Sequence, residues 1–103
     1  MKLIQTLEEL IDDEIHDIKK YAKLAAEVKH EYPTLAQVLF NISVQEEGHQ
    51  AAIHSEVVKI IEDHRKNHGE PPAAMMAVYD YLHKKHIDKA VEARHYQDAY
   101  KNA

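Results

Sequence analysis

Residues 33–66 read PTLAQVLFNISVQEEGHQAAIHSEVVKIIEDHRK. Leu35, Val38, Leu39, Ile42, Ile53, Val57 and Ile60 recur in this stretch at the three-to-four-residue spacing of one helical face. Pro33 suits the first position of a helix, where its missing N–H costs nothing. Asn67-His68-Gly69 supplies a stop, and Pro71-Pro72 marks the next start. The spacing predicts a helix over Pro33–Lys66. Its apolar stripe is broken in the middle, where Glu46 and His49 fall between Ile42 and Ile53. Glu46-Glu47-Gly48-His49 is a Glu-x-x-His motif, and residues three apart share a helix side, so both side chains reach a single ion. A lone carboxylate on a core face is costly unless it is paired or bound to metal.

Working outward, the same pattern continues on both sides. A first helix is predicted from Leu3 or Leu7 to Lys29. Thr6 and Glu9 have capping-box spacing, which favours the later start. Its stripe is Leu3, Leu7, Leu10, Ile11, Ile18, Tyr21, Ala25 and Val28, and Glu14 interrupts it on the core side. A third helix is predicted from Pro72 to Tyr100. Met75, Val78, Leu82, Ala93 and Tyr96 form one stripe, while Ile87, Ala90 and Val91 lie on another side, as expected of a helix with more than one neighbour. Short connections make neighbouring helices antiparallel. The expected fold is therefore all-α, a single domain over residues 1–103 with three long helices. Three helices make a thin structure, and completion by dimerisation or a higher homo-oligomer is expected.

Height along the bundle sorts the polar interruptions. Glu14 lies 18 residues before Tyr32 and Glu46 lies 14 after it, a difference of about 6 Å at 1.5 Å per residue. Long side chains span that, so Glu14, Glu46 and His49 are expected to converge. A second motif, Glu92-Ala93-Arg94-His95, places Glu92 as far after Gly69 as Glu46 lies before it. Glu92 and His95 thus join the candidate metal ligands. Carboxylate and imidazole donors together suit iron or manganese, and zinc is also compatible. Carboxylates on facing helices hold two metals in dimetal bundles. Tyr21, seven residues after Glu14, stands either as core or as a hydrogen-bonding or radical-handling neighbour of a ligand. Glu47 reads as solvated, and His54, His64, His68, His83 and His86 read as surface or rim residues.

Composition removes several alternatives. The chain has 103 residues, a formal net charge of -5, nine histidines and no cysteine. Zinc-thiolate sites, iron–sulfur clusters and disulfides are excluded, and a cytoplasmic setting is expected. The acidic balance argues against nucleic acid. No apolar run approaches the roughly 20 residues of a membrane span, and the N-terminus lacks a signal-peptide pattern.

From Leu7 to Ile60 the chain resembles the rubrerythrin branch of the ferritin-like superfamily. Glu14, Tyr21 and Ala25, the run Leu35-Ala36-Gln37-Val38-Leu39-Phe40, and Gln45-Glu46-Glu47-Gly48-His49 carry the resemblance. It implies a ferritin-like bundle and two irons. Glu14 would be a terminal or bridging ligand, Glu46 a bridging ligand and His49 a terminal one. It also implies oxidoreductase activity that reduces peroxide or oxidises ferrous iron with dioxygen. The chain departs from the family in having three helices, no second lone Glu between its motifs and no rubredoxin module, so a peroxidase would need an external electron donor. Two assemblies restore a site. One pairs Glu14, Glu46 and His49 across a twofold axis, as in encapsulated ferritins, which the short chain also resembles. The other uses Glu14, Glu46, His49, Glu92 and His95 within one chain, with dimerisation covering the open side, and the matched heights weigh toward it. The competing functions are a metal-binding or storage module without turnover and a metal-free helical interaction protein.

Overall fold

The computed structural model describes residues 2–103. Three helices, α1 (Lys2–Val28), α2 (Pro33–His68) and α3 (Ala73–Asn102), form an antiparallel up-down-up bundle measuring 56 × 19 × 18 Å. The described residues contain no strand, and no helix among them is long and apolar enough to cross a membrane. Pro33 opens α2 as its spacing requires. Gly69 closes it by donating its N–H to the Arg65 carbonyl at 3.2 Å. Gly69 has φ +80° and ψ -169°, a backbone region essentially confined to glycine. Gly69→Ala is expected to destabilise the fold by about 1–3 kcal/mol, read as a lowered urea midpoint at unchanged slope. A midpoint equal to that of the unaltered chain would show that the turn relaxes freely.

Helix α1 starts at Lys2, not at Leu7. The Thr6 hydroxyl donates to the Lys2 carbonyl at 3.0 Å, so it lies within the helix, bonded back one turn, and caps nothing. The single α1 stripe expected above divides into two faces. The inner face is Ile4, Glu8, Ile11, Ile15, Ile18, Ala22 and Ala25, all buried. Ile4, Ile11 and Ile15 pack with Val57 and Ile61 of α2, and Met76 and Tyr79 of α3 lie against them. Toward the other end, Ala25, Ala36 and Tyr100 form a second cluster with Leu39 and Phe40.

The outer face of α1 is Leu3, Leu7, Leu10, Glu14, Asp17, Tyr21, Leu24 and Val28, spaced alternately by four and three residues. Leu3, Leu10 and Leu24 on it are exposed. Helix α2 carries the matching series Leu35, Leu39, Ile42, Glu46, His49, Ile53, Glu56 and Ile60. This alternation is that of a helix-packing seam. One open face of the α1–α2 hairpin therefore carries two seams, and both are interrupted by polar residues at mid-height.

Helix α3 departs most from its expected stripes. Its buried residues are His86, Ala93, Gln97 and Tyr100, whereas Val78, Ile87 and Val91 are exposed. The Gln97 amide donates to the Ser43 hydroxyl at 3.3 Å, and the Tyr100 hydroxyl donates to Gln37 Oε1 at 3.0 Å. The Lys29 ammonium donates to the Tyr100 carbonyl at 2.6 Å and sits over that residue's ring.

Candidate metal centre

Glu14, Glu46 and His49 meet at mid-height on the open α1–α2 face. Antiparallel packing brings α1 and α2 to a common level there, and the i,i+3 spacing stacks Glu46 under His49. One ligand atom from each residue lies within 4.8 Å of the other two, the one such His/carboxylate group of three among the described residues. His49 Nδ1 is 3.7 Å from Glu14 Oε2 and 3.8 Å from Glu46 Oε2. Those separations are too long for hydrogen bonds. Donors about 2.0–2.2 Å from a common ion sit roughly 3–4 Å apart, so the observed spacing suits ligation.

Exposure grades across the group. The Glu14 and Glu46 side chains are 25% and 19% exposed, whereas that of His49 is 62% exposed. Glu14 Oε2 is buried without a hydrogen-bond partner. A native structure seldom leaves such an oxygen unpaired, and a cation is one way to satisfy it. The donor set therefore fits a metal on two counts, its geometry and its unpaired oxygen. It supplies three ligands and leaves the solvent side open.

Glu92 and His95 do not join this group. The height match holds, because His54 stacks on His83 at 4.9 Å and Phe40 on Tyr100 at 4.5 Å, which sets Glu46 within about one turn of Glu92. The azimuth differs. Glu92 turns toward α1 and pairs with Lys19 at 2.6 Å, and that ammonium holds the Glu92 carboxyl below the ordinary carboxylate range. His95 is exposed, edge-on to Tyr96. The within-chain set of five ligands is thus not what the structure brings together. Tyr21 is half-buried on the outer face of α1, seven residues beyond Glu14.

A second polar group was not anticipated. His86, read above as a surface or rim residue, is buried against Glu8, with Nδ1 3.0 Å from Glu8 Oε2. The contact is short but not aligned as a hydrogen bond, and both Glu8 oxygens lack one. The other ring nitrogen, Nε2, faces Asp12 Oδ1 at 3.6 Å, and Asp12 accepts a hydrogen bond from Lys89 at 2.6 Å. That bond holds the Asp12 carboxyl low. Because Glu8 and Asp12 occupy opposite edges of the imidazole, the three do not converge on one ion. The sequence signal for Glu8 was its place in the isoleucine series 4, 11, 15 and 18. Comparison with protein-family models, curated proteins and solved structures gives no match.

Proposed function

We propose that this chain is a metal-binding, ferritin-like protein in which Glu14, Glu46 and His49 hold half of a carboxylate dimetal site. A second copy, seated on the α1–α2 face, supplies the other half. The observation that carries the reading is the approach of three donors from two helices within 4.8 Å of one another. Two further features support it. The seams on either side of the cluster keep coiled-coil spacing, so a twofold-related hairpin would form a four-helix bundle with the polar residues at its centre. The open side of the cluster lies on that same face.

In the assembled site the paired carboxylates would offset the charge of the ions, His49 would add an imidazole nitrogen, and Leu10, Ile42 and Ile53 would exclude water above and below. Iron held by Glu14, Glu46 and His49 would supply electron exchange with dioxygen or peroxide. The activity we infer is oxidation of ferrous iron by dioxygen, or reduction of peroxide with electrons from an external donor. Manganese suits the same donors, and zinc is also compatible. A cysteine-free chain of this kind suits a reducing, cytoplasmic setting.

Elemental analysis of protein purified without chelators, combined with its mass in solution, tests the proposal. About one iron per chain in a dimer is expected for a site of two ions shared by two chains. Leu24→Glu, which puts a charge in the seam away from the ligands, is expected to yield monomers that no longer retain iron. About two irons per chain in a monomer would move the site into one chain. No metal after anaerobic ferrous loading would overturn the reading. Bound iron without ferrous oxidation or peroxide consumption would leave a binding or storage module.

A further inference from the structure

Across its middle α3 fully buries one apolar residue, Ala93, and its other contacts with α1 there are polar. In the two apolar clusters α3 is represented by Met76 and Tyr79 near its start and by Tyr100 near its end. Between them, His86 meets Glu8, Lys89 meets Asp12 at 2.6 Å and Glu92 meets Lys19 at 2.6 Å. The last two pairs lie at the surface, where such bridges contribute little. The Glu8–His86 pair does not, because its side chains are only 2% and 6% exposed.

The charged and titratable groups around the pair come from two helices. Asp12 faces it from α1, and Tyr79, His83, Lys85 and Lys89 face it from α3. Among the described residues, α2 places no ionisable group within ion-pair distance of either side chain, and His54 stacks on His83 instead. Two groups 3.0 Å apart and shut off from water are least costly when the pair carries a single proton, on one group or the other. A second proton leaves a buried cation, and none leaves a buried anion.

We propose that Glu8 and His86, a buried pair carrying one proton, form a latch that keeps α3 docked on α1, and that loss of that proton frees the helix. Displacing α3 would return both groups to water, where their ordinary values are 4.5 and 6.5. In the docked state burial pushes Glu8 up and His86 down. The Glu8 contribution is full below pH 4.5 and is lost as pH rises through its raised value. The His86 contribution is full above pH 6.5 and is lost as pH falls through its lowered value. Between 4.5 and 6.5 docked and displaced states each hold one proton, and docking is level. Above 6.5 the displaced state holds none while the docked pair keeps one, so each pH unit favours displacement by about tenfold until the docked pair ionises. Below 4.5, Asp12 and Glu92 titrate as well, so the alkaline limb isolates the latch.

The chain has no cysteine, so spin labels on Lys20→Cys and Lys84→Cys, both at exposed positions, report the α1–α3 separation when the labelled chain is diluted with unlabelled chain, so that a second copy adds no label. Dipolar spectroscopy is expected to show one narrow distance at pH 5–6.5 and a growing broad component toward pH 9. In Glu8→Gln, which has no acid proton to lose, and in the Glu8→Leu/His86→Leu double variant, the narrow distance is expected to persist to pH 9. A narrow distance at pH 9 in the labelled chain without these changes would overturn the proposal. A broad component that rises in the double variant as it does in that chain would also overturn it.

Discussion

Glu46→Ala and His49→Ala are each expected to abolish tight metal binding, weakening it by more than about 100-fold, since even partners of ligands cost 10–100-fold when removed. Each of the three donors comes within 4.8 Å of the other two, so removing one leaves each chain only two donors for its half of the site. Glu14→Ala is expected to match them, because Glu14 Oε2 is the buried oxygen that lacks a hydrogen bond. Glu92→Ala is the control. Its carboxylate pairs with Lys19 at the surface, so metal content should be unchanged. Titration of ferrous or manganous ion into each variant, followed by calorimetry or elemental analysis, checks all four. Unchanged metal content in both Glu46→Ala and His49→Ala would sink the proposed site. A loss in Glu92→Ala equal to theirs would bring the third helix back into it.

The contrast between Glu46 and Glu92 shows which quantities a sequence conveys. Height along a helix accumulates at a fixed 1.5 Å per residue, so the level of Glu92 was legible from its distance to Gly69. Azimuth advances about 100° per residue, and one misassigned position swings a side chain to another neighbour. On α2 the apolar stripe grouped Glu46 and His49 with Ile42 and Ile53, but the face it marked as core is the open one, since Leu35 and Val38 are exposed while Ala36, Ser43, Val57 and Ile61 are buried. On α3 no clean stripe did even that, because His86 and Gln97 are buried while Val78 and Val91 are exposed. The faces of α1 merged for a related reason. Its leucine series and its isoleucine series run side by side, and a helix contacting neighbours on both sides keeps both apolar. The Glu8–His86 pair was hidden by its sequence separation, since nothing local marks a carboxylate whose partner lies on another helix. The outer seam was readable as a pattern, yet only packing shows that it lies open.

His86→Leu alone is expected to destabilise the fold by about 3–5 kcal/mol at pH 7, the usual cost of breaking a buried pair by removing one partner. Glu8 would remain 2% exposed with no basic group beside it. Its carboxyl, already raised by burial, would have to gain a proton or draw in water. The Glu8→Leu/His86→Leu double variant is expected to be as stable as the unaltered chain or about 1–4 kcal/mol more stable, because apolar side chains of similar volume carry no desolvation cost. The sign with pH follows from the raised Glu8 value in the single variant. Below pH 4.5 the unfolded and folded carboxyls are both protonated, and the deficit is smallest. It grows as pH rises, because the unfolded chain releases a proton that the folded chain retains. Urea denaturation at pH 4.5 and pH 7.5 for both variants checks the pattern. A single variant as stable as the unaltered chain would mean that the buried carboxylate is tolerated without a partner. A double variant as weak as the single one would assign the loss to packing around residue 86 rather than to charge. The outcome expected here, a large single loss restored by the second substitution, would show that the pair is retained at the expense of stability. Such retention is what a titratable contact between α1 and α3 requires.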